Sequence, residues 1–154
     1  MSVELIGQLE AAVEGSEELD ALLIAHVVGG TVEQSQLNAR WCVYVGRHGQ
    51  RDWEPKTRWE RELCLAYLDG RGPTRSFEAA LLILPEGFAV ERLTVWPGMG
   101  ASCVILGTHK RYGRFIHDHR DGRWEADSRT GALAVCIAAL KARNAETKVG
   151  SKTA

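Results

Sequence analysis

Apolar residues along the chain switch between a helical period and a strand period, and the switches mark the elements. Leu5, Ile6, Leu9 and Val13 recur at helical spacing and predict a short amphipathic helix over 2–14. Gly15 breaks it, and Ser16 is placed to cap a second helix from Glu17 to about Val27. Leu19, Leu22, Leu23 and His26 share its face, and Gly29–Gly30 ends it. From Arg40 to Val45 the period falls to two, with Trp41, Val43 and Val45 alternating with Cys42 and Tyr44, a strand pattern. A turn over 46–49 leads to a returning strand over 50–54. Between Trp59 and Leu68 the periods compete. Trp59, Leu63 and Tyr67 fit a helix, while Leu63, Leu65 and Tyr67 also alternate, and the segment reads as a strand or a short turn of helix.

The second half is more regular. Ser76 can cap a helix with Glu78 near its positive end, and Phe77, Leu81 and Leu84 form one apolar stripe. Pro85 and Gly87 stop it and turn the chain. Strands follow over 88–96, 101–108 and 111–117. The phase changes near Glu91–Arg92, which predicts a bulge, and turns fall at 97–100 and 120–122. In the closing segment 130–143, Leu133, Cys136, Ile137 and Leu140 form a stripe. Ala132, Ala134, Ala138, Ala139 and Ala142 favour helix and close packing. Leu81, Leu133, Ile137 and Leu140 are expected to be buried against the sheet.

These elements give an α/β chain: an antiparallel sheet of about four to five strands flanked by about four helices, as a three-layer α/β/α sandwich. One domain is expected over 1–147, with 148–154 as a frayed tail lacking any apolar pattern. A length of 154 residues, 45% hydrophobic and 25% charged, is enough for one sizeable core. A net charge of -1 argues against a generally basic nucleic-acid binder but allows a local patch. No apolar run has the length of a membrane span, and the acidic start Met-Ser-Val-Glu is not that of a signal peptide. Cys42, Cys64, Cys103 and Cys136 are widely spaced in apolar surroundings and read as buried thiols in a reducing cytoplasm.

The pair of Ala/Leu-rich helices around a β region resembles the phage and prophage α/β/α ("ABA") sandwich domain family of small phage proteins. The resemblance rests on Thr74, Ser76, Phe77, Glu78, Ala79, Ala80, Leu81, Leu84, Pro85, Glu86 and Gly87, and on Ala132 to Cys136, Ala138 to Leu140, Ala142 and Arg143. It is best from Pro73 to Arg143. Gly131 stands where a proline is common, Phe77–Glu78 replaces Leu-Asp, and 51–72 is longer and more charged than usual. The resemblance implies a phage or prophage origin, the sandwich fold, and no general catalytic motif or cofactor. By analogy with small phage accessory proteins, it suggests a non-enzymatic protein of the bacterial cytoplasm that binds a host protein, for instance as a host-defence antagonist.

Four stretches can carry chemistry. His117 and His119 share a face if they lie on one strand and could reach one metal, with His109 or His48 as a third ligand. A metal site needs three or four convergent ligands, so a polar hairpin is the competing reading and a metal-dependent hydrolase the last alternative. Gly98-Met-Gly-Ala-Ser-Cys103 is glycine-rich but precedes a strand pattern rather than a helix, which favours a hairpin turn over a phosphate loop. Lys110, Arg111, Tyr112, Arg114 and Trp124 bring basic and aromatic side chains together, as a nucleotide or nucleic-acid site would. The competing reading is a charged edge hairpin. Trp53, Arg58 and Trp59 fit either a partner-binding loop or indoles that cap the core while the charges are solvated.

Overall fold

Helix starts coincide with the hydroxyl caps. Ser16 Oγ accepts the Leu19 N–H at 3.1 Å, Thr57 Oγ1 that of Glu60 at 3.1 Å, Ser76 Oγ that of Ala79 at 3.4 Å, and Thr130 Oγ1 that of Leu133 at 3.2 Å. They open α2 (Glu17–Val28), α3 (Arg58–Leu68), α4 (Phe77–Leu81) and α5 (Gly131–Thr153), which follow α1 (Ser2–Ala11). The computed structural model describes residues 2–45, 51–111, 114–117 and 123–153. None of its helices is long and apolar enough to cross a membrane among the residues described.

The strands divide between two antiparallel sheets rather than forming one. The smaller holds β1 (Thr31–Gln34), β2 (Trp41–Val45) and β3 (Arg51–Asp52), in that order. The larger holds β4 (Phe88–Trp96), β5 (Gly100–Arg111), β6 (Arg114–His117) and β7 (Arg123–Ser128). Strand β5 is its axis: β4 lies along one side, while β7 and then β6 occupy the other. The register shifts between Val90 and Arg92, at the expected bulge. Register sorts the faces. Val90, Ile105 and Trp124 stand in one row and Leu93, Cys103 and Ala126 in the next, on the side toward the core.

Helix α5 is buried from Ala132 through Leu140 and packs against β5, β7, α1 and α4, while α2 packs against β1 and β2. A helix enclosed on every side must be apolar or small all round. The alanines supply this, since each brings a neighbour's backbone close without leaving a void.

Four expectations change. Segment 58–68 is helical, because the Thr57 cap and the Trp59, Leu63, Tyr67 spacing outweigh the alternation. Strands β1 and β7 were not foreseen: both are short and largely polar, and pairing with β2 and β5 organises them. Helix α5 continues to Thr153, through the expected tail. In α4 the predicted stripe is not the buried one. Leu81 is 38% exposed and Phe77 41%, while Ala79, Ala80 and Ile83 are buried. The contact with α5 is close and selects the small alanines, which turns the larger residues outward.

Candidate functional site

The most constrained polar group is one the sequence reading passed over. Asp20 lies on α2 beside Leu23 and Ile24, on the buried face, and is itself 0% exposed. Its Oδ1 accepts the Thr74 N–H at 2.7 Å and the Thr74 hydroxyl at 2.5 Å, and its Oδ2 accepts Arg75 Nε at 2.6 Å. The Ser16 N–H donates to Thr74 Oγ1 at 3.2 Å, and the Cys136 thiol donates to the Pro73 carbonyl at 3.2 Å. Segment 72–75 is thereby fastened to the α1–α2 junction, to α2 and to α5 at once. Two glycines permit the approach. A Cβ on Gly15 would lie 2.0 Å from the Thr74 carbonyl oxygen, and one on Gly72 would lie 2.3 Å from Asp20 Oδ2. Gly15→Ala is therefore expected to destabilise by about 1–3 kcal/mol through overpacking. Gly7→Ala meets nothing within 4 Å on α1 and should add about 0.5–1 kcal/mol through helix propensity. Chemical denaturation of the two variants side by side checks both signs.

Burial raises the Asp20 carboxyl above its ordinary range, against the lowering pull of Thr74 and Arg75. With three donors on it and no access to solvent, this carboxylate is a joint between elements rather than a base open to substrate. The buried thiols are similarly unreactive. Burial pushes Cys103 up to about 11 and Cys136 well above the usual thiol value, so neither forms a thiolate at neutral pH. Tyr67 is pushed up to about 12, first by burial and then by Glu17, and its hydroxyl donates to the Trp41 carbonyl, tying α3 to β2.

Segment 71–77 borders two concavities. One, of about 520 Å³, lies between Thr74, Arg75 and Phe77, the start of α5, and Leu93 and Val95 of β4. The Arg75 charge there is already matched by Asp20. The other is an open groove of about 700 Å³. Its first wall is α3 and the turn after it, with Glu62, Leu65, Leu68, Asp69 and Arg71. Ser76, Glu78, Ala79 and Leu82 form the opposite wall. Leu65 is 67% exposed and Leu68 58%, on the side of α3 away from buried Leu63 and Tyr67. The usable signal was the helical spacing of 65 and 68 outside the buried stripe, which becomes legible once α3 is known to be a helix.

The sequence-derived candidates are distributed differently. Both indoles make intramolecular contacts. Trp53 Nε1 donates to Glu60 at 3.4 Å, and Trp59 Nε1 donates to the Leu82 carbonyl, with the Arg143 guanidinium 6.0 Å from the Trp59 ring centre. Both pack against the core from half-buried positions. Arg58 is exposed and pairs with Glu62 at 3.3 Å, on the rim of the groove.

Lys110, Arg111, Arg114 and His117 belong to the β5–β6 arm. There Lys110 stands opposite Phe115, Arg111 opposite Arg114, and Thr108, rather than His109, opposite His117. Trp124 pairs with Ile105 and packs against the core. Ile105 and Arg111 are six residues apart on β5, about 20 Å at strand rise. The fold therefore does not gather Trp124 with the arm's arginines. Tyr112, His119 and His48 lie outside the described residues. No group of three or more His, Cys, Asp or Glu is arranged to hold a metal among the residues described. Gly98 has a φ of 75° in the turn joining β4 to β5, so the glycine-rich stretch is a hairpin turn followed by a strand.

No family model, curated protein or solved structure matches this chain.

Proposed function

We propose that the chain is a non-enzymatic accessory protein that acts by binding another protein, through the groove between α3 and α4. The observation that carries this reading is the pair Leu65 and Leu68, exposed together on one wall of a concave surface that also contains Ala79 and Leu82. Isolated exposed leucines are ordinary, but a concave cluster with a polar rim is the form of a binding surface. Arg58 and Glu62 extend that rim, so the partner-binding reading of the Trp53–Trp59 region moves to its solvent side. The resemblance to the phage sandwich family supports a bacterial host protein as the target class, with defence antagonism as one role. It also supports the three-layer arrangement, with α1 and α5 as the layer on one face of the larger sheet.

A specific feature favours nucleotide or nucleic-acid binding as the second reading. Arg111 and Arg114 occupy directly opposed positions at the end of the β5–β6 arm. Two basic residues paired in register at one end of a sheet are a placement that suits a phosphate-bearing ligand.

Affinity capture from host lysate separates the two readings. Leu65→Asp with Leu68→Asp should abolish capture of a defined partner while the thermal midpoint stays near wild type, because both side chains are exposed. Arg111→Ala with Arg114→Ala should leave capture intact. Loss of a salt-sensitive oligonucleotide shift in the arginine variant, with capture unaffected by the leucine changes, would transfer the function to the arm.

A further inference from the structure

The walls of the α3–α4 groove restrict what kind of segment fits between them. Its lining comes from α3, α4 and the turns beside them, and none of it from a strand. An extended peptide would find no sheet edge there for its backbone N–H and C=O groups. A helix satisfies its own backbone and needs only the side-chain contacts that these walls offer. The groove also has a sign. Three carboxylates, Glu62, Asp69 and Glu78, line it against one guanidinium, Arg71. Arg71 pairs with Asp69, and Arg58 pairs with Glu62 from outside the lining. Both pairs are solvent-exposed, with side-chain exposures of 51% or more. Such pairs contribute little and exchange readily for an incoming cation. Leu65 and Leu68, three residues apart on α3, supply the apolar strip for the same occupant.

We infer that the groove takes a cationic amphipathic helix of a partner protein, its apolar face on Leu65 and Leu68 and its lysines or arginines beside Glu62, Asp69 and Glu78. The inference rests on the protein-binding reading of the same groove and adds the chemistry of the partner.

The test is fluorescence anisotropy with a labelled amphipathic helical peptide of leucine and lysine, beside a leucine–glutamate peptide of the same pattern. The lysine peptide should bind and weaken as salt is raised, and the glutamate peptide should not bind. Glu62→Gln with Glu78→Gln should weaken the lysine peptide roughly five- to ten-fold, as two exposed charge contacts would. Leu65→Asp should abolish its binding. Circular dichroism and the thermal midpoint confirm that each variant is folded.

Equal binding of both peptides, or indifference to the glutamine changes while Leu65→Asp still abolishes binding, would overturn the cationic partner and leave the groove as a protein site. Indifference to Leu65→Asp would overturn both. A dimer in sedimentation that Leu65→Asp dissociates would assign the groove to a second copy of this chain instead.

Discussion

Asp20→Ala should cost about 3–5 kcal/mol, the expected penalty for removing one partner from a buried, hydrogen-bonded ion pair. The substitution leaves the Thr74 N–H and hydroxyl without their acceptor in a place water does not reach, and it frees Arg75. Arg75 retains some access to solvent, with 28% of its side chain exposed, so most of the loss falls on Thr74. Asp20→Asn keeps an acceptor for Thr74 and removes the charge, and should cost about 1–3 kcal/mol.

The pH dependence of the difference between wild type and Asp20→Asn reports on the same group. Burial raises the Asp20 carboxyl in the folded chain above its value in the unfolded chain, ordinarily about 3.9. Between those two values the folded state holds a proton that the unfolded state has released. The Asp20 contribution is therefore fully present below about pH 3.9 and is lost as pH rises through the folded value. Urea midpoints measured across the acid range should show wild type losing ground to the asparagine variant as pH increases. The opposite slope would mean that Thr74 and Arg75 outweigh burial.

The second large effect is expected at Ile137. This residue is 1% exposed on the central helix, among strands of the larger sheet and the neighbouring helices α1 and α4. Ile137→Ala should destabilise by about 2–5 kcal/mol, through lost transfer energy and a cavity that surroundings fixed on several sides cannot close. Leu81→Ala, at a position with the same sequence-based expectation of burial, should cost under about 1 kcal/mol because Leu81 is 38% exposed. Equal midpoint shifts for the two variants would mean that the faces of α4 and α5 are misassigned. Neither residue lines the α3–α4 groove, so partner binding should survive both changes whenever the chain is folded.

Where a physical signal is local, the sequence carried it. The caps at Ser16 and Ser76, the stripe Leu133, Cys136, Ile137 and Leu140, the bulge beside Arg92 and the turn at Gly98 depend on residues a few positions apart. Hydroxyl capping, helical periodicity and glycine backbone freedom suffice to place them. The mixed α/β character follows from these elements.

Only the tertiary structure decided the remainder, because each of these features is set by a neighbour outside its own segment. Strands β1 and β7 exist through pairing with β2 and β5. The outward turn of Phe77 and Leu81 reflects how closely α4 approaches α5. Trp53 and Trp59 left two readings open in sequence, and their intramolecular contacts depend on Glu60, Leu82 and Arg143. Trp124 was grouped with basic residues by sequence proximity, yet strand extension carries it about 20 Å from them. Asp20 has no partner within its own helix. Its three donors come from residues 54 and 55 positions away, so its burial and its role as a joint appear only when α2 and segment 72–75 meet.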